Sequence, residues 1–197
     1  RVLLKASAED RKRLASIVDS WNGPEKSGFK IVEDSSSGTL DIAIQGLPAH
    51  GSTPELGVNA LLCLIDILSK VNLGGEQASF VKALQKVIGF ETDGTSLGVA
   101  MEDSISGPLT VCLGTMHGDG SGISFTLNLR YPVTKKREEV LPFLTETLEN
   151  AGIEVADVRH AAPLYVDPES ELIQTLKKVY EDQTGLKAEL LAIGGGT

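Results

Sequence analysis

Three groups of residues in this sequence could do chemistry. His50 lies in Gly46-Leu47-Pro48-Ala49-His50-Gly51-Ser52-Thr53-Pro54, between a strand-like and a helix-like run. On such a loop an imidazole is held by two rigid elements and can donate to a developing oxyanion; it can equally cap a strand end. Arg130 falls on the polar face of an alternating run, with Ser124, Thr126 and Asn128. A guanidinium there suits fork-like binding of a carboxylate, or pairs with a neighbouring surface acid. Gly194-Gly195-Gly196-Thr197 follows another strand-like run. Its backbone N–H groups can approach a ligand closely, or the glycines simply turn the chain. No Lys follows, so it is not a phosphate loop.

The other ionisable residues carry less. His117 adjoins a glycine-rich turn and His160 precedes Pro163; both read as structural or surface residues. The adjacent acids Glu33-Asp34, Glu102-Asp103 and Glu138-Glu139 read as solvated charge rather than catalytic pairs. With three His and no Cys pair at ligand spacing, no metal ligand is assigned. Cys63 and Cys112 sit among apolar residues and are expected to be buried thiols in a reducing compartment.

The elements that must position these residues follow from periodicity. Val2 to Lys5 reads as a strand, and Ser7 opens a helix with Leu14, Ile17, Val18 and Trp21 on one face. Phe29 and Ile31, then Leu40, Ile42 and Ile44, alternate about Asp34-Ser35-Ser36-Ser37-Gly38, which predicts a hairpin. Pro54 is expected to open a mostly buried helix, with Thr53 or Ser52 as cap and Leu56, Ala60, Leu61, Leu64, Ile65 and Leu68 as its apolar face. Phe80, Leu84 and Val87 predict a short helix, and residues 72–107 otherwise read as an insertion or mobile region. Leu109 to Leu113 and Ile123 to Tyr131 form a second hairpin. A helix from about Glu138 to Asn150 follows, with Pro142 awkward inside it. Ile153, Val155 and Val158 predict a strand. Asp167-Pro168 opens a helix with Leu172, Ile173, Leu176, Val179 and Tyr180 on one face, closed by Gly185. Leu190 to Ile193 predicts a last strand. The order implies an α+β fold: antiparallel sheet with helices on one face, ferredoxin-like, with two such units able to share one continuous sheet.

The 197 residues are 41% hydrophobic, enough for a real core. The net charge of −9 and the lack of any basic run argue against nucleic acid. The longest apolar stretch, Leu56 to Leu68, is broken by Asn59 and Asp66, so no membrane span is expected. There is no signal-peptide shape, and both ends look like cuts through a longer protein.

Gly46-x-x-x-His50-Gly51-Ser52-x-Pro54-x-x-Gly57-x-Asn59-Ala60 resembles the lid-domain signature of di-zinc exopeptidases, a group including aminoacylases, carboxypeptidase G and succinyl-diaminopimelate desuccinylase. Asn128-Leu129-Arg130-Tyr131-Pro132, Pro163-Leu164-Tyr165-Val166, Leu176-x-x-Val179-Tyr180-x-x-x-Thr184-Gly185 and Ile193-Gly194-Gly195-Gly196-Thr197 are similar to the peptidase V dipeptidases of bacteria. The resemblance runs from about Gly46 to Thr197. It implies a cytoplasmic dipeptidase whose catalytic domain holds two zinc ions, none of them bound by this chain. Residues 1–163 would be a lid closing over a dipeptide, and 164–197 the start of the returning catalytic segment. A lid His matching His50 contacts the oxygen of the tetrahedral intermediate. A lid Arg matching Arg130 grips the substrate carboxylate, and Gly194, Gly195, Gly196 and Thr197 line the cleft. The zinc ligands lie outside this chain, so alone it is expected to be inactive and to need the missing catalytic domain. Rival readings are the lid of a related aminoacylase or desuccinylase, and a non-enzymatic binding or dimerisation module.

Overall fold

The computed structural model describes every residue except 1, 6, 26, 35–38, 72–74, 120–121 and 195–197. The expected turn between the first two hairpin strands, the glycine-rich turn of the second hairpin and Gly195, Gly196 and Thr197 therefore lie wholly or partly outside the described residues.

The fold is α+β. Strand β1 (Val2–Lys5) leads into helix α1 (Ala8–Asp19), then β2 (Gly28–Asp34) and β3 (Thr39–Gln45). Ser7 starts α1 through a capping box: its Oγ accepts from Asp10 N–H at 3.1 Å and its own N–H donates to the Asp10 carboxylate at 3.1 Å. The three strands pair antiparallel in the order β1-β3-β2. Strands β1 and β2 are thus parallel to each other across β3, with α1 as crossover, a split β-α-β unit. Ile42 at the centre of β3 is fully buried, and Leu14 of α1 joins the same core.

Helices α2 (Ala60–Lys70) and α3 (Gly75–Val87) pack together, and α2 lies against both β3 and β6 (Thr110–Gly118). Cys63, Leu64, Ile65, Ile67 and Leu68 of α2 are buried, as its sequence required. Asp66 lies on the polar stripe of α2 but is a hub rather than solvated charge. It accepts from Trp21 Nε1 at 2.6 Å, Gln85 Nε2 at 2.9 Å and Lys70 Nζ at 2.8 Å, joining the end of α1 and helix α3 to α2.

The stretch read as an insertion or mobile region supplies part of the core among its described residues. Val81, Leu84, Val87, Ile88, Leu97 and Val99 are buried in it. Beyond α3 it runs through β4 (Glu102–Asp103) and β5 (Gly107–Pro108), a two-residue pair. Backbone bonds Val111 N–H to Thr92 O at 2.8 Å and Leu109 N–H to Met101 O at 2.8 Å tie it to β6 and the residue before it.

Strand β6 pairs antiparallel with β7 (Ile123–Arg130), apart from the three-stranded sheet, so the hydrogen-bonded sheets are not one continuous sheet. A register shift between Leu113 and Thr115 leaves Gly114 as a bulge. Val111, Leu113, Phe125, Leu127 and Leu129 face the core.

Four expected elements differ. Pro54–Leu56 is a single 3-10 turn, and α2 starts only at Ala60, with Asn59 as its cap. The reason is Gly57, whose extended backbone breaks the helix, and Val58, which pairs back to Leu47. Helix α4 (Leu141–Asn150) does not begin near Glu138; Pro142 sits in its first turn, where a missing N–H costs nothing. Residues 153–158 and 190–193 form no strand, because no neighbouring strand offers them a ladder. Helix α5 (Glu171–Thr184) starts three residues after Pro168, capped by Ser170, and ends at Gly185 in the left-handed conformation, as expected.

Candidate functional site

The loop carrying His50 is closed at its base. Leu47 and Val58 form an isolated bridge, with N–H···O bonds of 3.0 and 2.8 Å. The two glycines of the motif make this possible. A Cβ on Gly46 would lie 2.0 Å from Val58 O, and one on Gly57 would lie 2.6 Å from Leu47 O, so any side chain would push the two arms apart. Within the loop, Thr53 N–H donates to His50 O at 2.9 Å, which fixes a turn, and Pro54 begins the 3-10 segment. Asn59 anchors the far end. Its Oδ1 accepts from Leu61 N–H at 3.0 Å and its Nδ2 donates to Leu113 O of β6 at 2.7 Å. The loop is thereby laid against the β6–β7 ladder.

The His50 ring is exposed and is held by Ser52. Its Nδ1 lies 2.7 Å from Ser52 Oγ and accepts from Ser52 N–H at 3.3 Å. The Nε2 edge of the ring makes no hydrogen bond among the described residues.

Arg130 ends β7 on the face it shares with Asn128, as the alternation required. Its Nε donates to Asn128 Oδ1 at 3.3 Å, and among the described residues no acid pairs with its guanidinium. This orients the side chain while leaving its terminal nitrogens for another acceptor. Asn128 also meets the His50 loop: a methyl group placed on Gly51 would lie 3.6 Å from the Asn128 side chain.

Gly194 completes the arrangement. A Cβ there would come within 2.6 Å of Ser52 Cβ, so the chain passes directly over Ser52. Ser52 therefore touches both His50 and Gly194, while Asn128 touches both Gly51 and Arg130. The three groups singled out in the sequence are brought to one place, apart from Gly195, Gly196 and Thr197, which lie outside the described residues. The connecting residues, Ser52 and Asn128, were not singled out. Their signal was present: each stands two positions from the residue it supports.

The segment after Arg130 is pinned. Tyr131 Oη lies 2.7 Å from His160 Nε2, and the two rings stack with centroids 5.9 Å apart. His160 is thus held in a structural contact, while His117 is exposed at the end of β6. Asp103 accepts from Ile105 N–H at 3.0 Å and Thr134 N–H at 3.1 Å, and Ser106 Oγ accepts from Val133 N–H at 3.0 Å. Hydrogen bonds, led by that from Ser106 N–H, hold the Asp103 carboxyl well below its usual range. Burial raises the Cys63 thiol and the Tyr131 phenol, so neither is a ready nucleophile or base. Among the described residues, no three His, Cys, Asp or Glu side chains cluster as a metal site. No helix among them is long and apolar enough to cross a membrane.

Known proteins give a context for this geometry. No protein-family model matches the chain. It is 33% identical over 186 residues to the Bacillus subtilis protein named "Putative dipeptidase YtjP", covering 93% of this chain and 39% of that protein. A "Putative dipeptidase" of Staphylococcus saprophyticus is 32% identical over 197 residues, covering 98% of this chain and 41% of that protein. A third, from Staphylococcus haemolyticus, is 33% identical over 162 residues. The chain is related to part of proteins named putative dipeptidases. It spans about two fifths of the length of the first two relatives.

Proposed function

We propose that this chain is the substrate-covering lid region of a zinc-dependent dipeptidase of the peptidase V type. The observation that carries this is the meeting of the His50 loop, the Asn128–Arg130 face and Gly194 around Ser52 and Gly51. Relatedness to proteins named putative dipeptidases supports it. Residues 1–163 form the lid, and 164–197 belong with the catalytic domain, which holds the two zinc ions that polarise the attacking water.

The chemistry of this chain's own residues is recognition and charge stabilisation. Arg130 makes two parallel bonds to the free C-terminal carboxylate of a dipeptide; Asn128 fixes its Nε so that the fork points outward. Such a grip places the scissile carbonyl at a fixed distance from the anchor, one residue from the C-terminus. His50 then donates to the oxygen that gains charge as water adds. A donor placed in advance stabilises the transition state more than the ground state. The segment ending in Gly194 brings backbone N–H groups to the same cleft.

The test is His50→Ala in the complete polypeptide. Turnover should fall by roughly 10²–10³, with KM and zinc content little changed. Full activity, or loss of the metal, would overturn the assigned role.

A further inference from the structure

His50 is useful as a donor only if its proton sits on the exposed ring nitrogen, and the structure contains a device that decides this. Ser52 N–H points at Nδ1 from 3.3 Å. An amide N–H can only donate, so this long contact favours an Nδ1 that presents its lone pair but does not fix it alone. Ser52 Oγ, 2.7 Å from the same atom, must then donate as well. Two donors from one residue converge on Nδ1, and the single proton of the neutral ring is left on Nε2. The alternative tautomer would set Nδ1–H against an N–H that has nothing to accept with, and would leave Nε2 as an acceptor facing a developing negative charge.

We propose that Ser52 is a positioning residue that holds His50 in the Nε2-protonated tautomer, with Nε2–H aimed out of the loop as the oxyanion donor. This deepens the reading of His50 given above and rests on it. Ser52 is itself held on two sides. The turn closed by Thr53 N–H to His50 O fixes its backbone, and Gly194 packs against its Cβ, where no larger residue fits.

The experiment is performed on the complete polypeptide labelled with 13C,15N-histidine. His50 is assigned by loss of its signals in His50→Gln, at a pH where the ring is neutral. Wild type should show an unprotonated Nδ1 and a protonated Nε2. Ser52→Ala keeps the backbone N–H but loses the hydroxyl, and should show a mixed tautomer population. Its kcat should fall roughly 3- to 10-fold, the loss of about one neutral hydrogen bond, with KM nearly unchanged. A wild-type ring protonated at Nδ1 overturns the proposal, and that reading needs no variant to fold. So does a Ser52→Ala ring with wild-type tautomer and wild-type kcat. If the tautomer responds as expected but His50→Ala keeps full turnover, Ser52 sets the proton of a residue that is not the oxyanion donor. That outcome sinks the catalytic reading and leaves the positioning intact.

Discussion

Helices α2 and α5 each carry an apolar face, yet only that of α2 is covered. In α2, five residues from Cys63 to Leu68 are buried between α3 and the strands. In α5, Leu172 is 59% exposed and Leu176 55%, with Val179 and Tyr180 also open. The same holds for the extended stretches on either side, where Leu164 and Leu191 are each 81% exposed. Helix α5 is nonetheless well formed, because its ends are set locally: Ser170 Oγ caps the first turn and Gly185 takes the left-handed conformation. Local signals make a helix, while burial needs a partner that this chain's described residues do not provide. In the proposed reading the partner is the catalytic domain, and near its end the tail meets Ser52 through Gly194.

The comparison can be broken by substitutions of one kind in both regions. Leu84 is fully buried in α3, and Leu84→Ala should cost about 2–5 kcal/mol in urea unfolding of the chain. A cost under about 1 kcal/mol would mean that the α2–α3 core is not the stabilising part. Next is Asp103, which ties the β4–β5 turn to the segment after Arg130. Its carboxyl is lowered from an ordinary 3.8, so its contribution is fully present above that pH and is lost as pH falls through the lowered value. Asp103→Asn should therefore lower stability at neutral pH, and the gap to wild type should shrink on acidification below 3.8. A gap that stays constant would remove the carboxylate from the account. Smallest is Leu176→Ala, which should change the stability of this chain by no more than about 0.5 kcal/mol. In the complete polypeptide the same substitution should cost about 2–5 kcal/mol, if that face is covered there. Equal effects in both would show that α5 has no partner.

Much of this was legible in the sequence, and the rest failed for identifiable reasons. Both hairpins, α1 and the end of α5 follow from alternation, capping and Gly185. The His50 loop was legible as a loop, but its closure was not. Reading Pro54 as the start of a long helix ignored Gly57, whose place opposite Leu47 O is a tertiary fact. Residues 75–107 hid their packing because it comes in short pieces, Leu97, Val99 and single backbone bonds, with no repeat to read. Apolar spacing at 153–158 and an apolar run at 190–193 predicted strands, but apolar residues give a face and only a neighbour gives a ladder. Within the site, the identities of His50 and Arg130 were readable, while their shared place rests on Asn128 against Gly51, a contact between residues far apart in the chain.

The central claim is that Arg130, oriented by Asn128 beside the His50 loop, reads the free carboxylate of a dipeptide. It is tested most directly by comparing a dipeptide with its C-terminal amide in the complete polypeptide, wild type against Arg130→Ala. Wild type should prefer the acid strongly. Loss of a charge-assisted pair at about 1.5–3 kcal/mol per bond should cut kcat/KM on the acid by roughly 10²-fold or more. The variant should then process acid and amide at nearly the same slow rate. Arg130→Lys, which keeps the charge but not the fork, should already lose much of the preference. If Arg130→Ala keeps the wild-type preference for the free acid, another group binds the carboxylate and the account of this site is wrong.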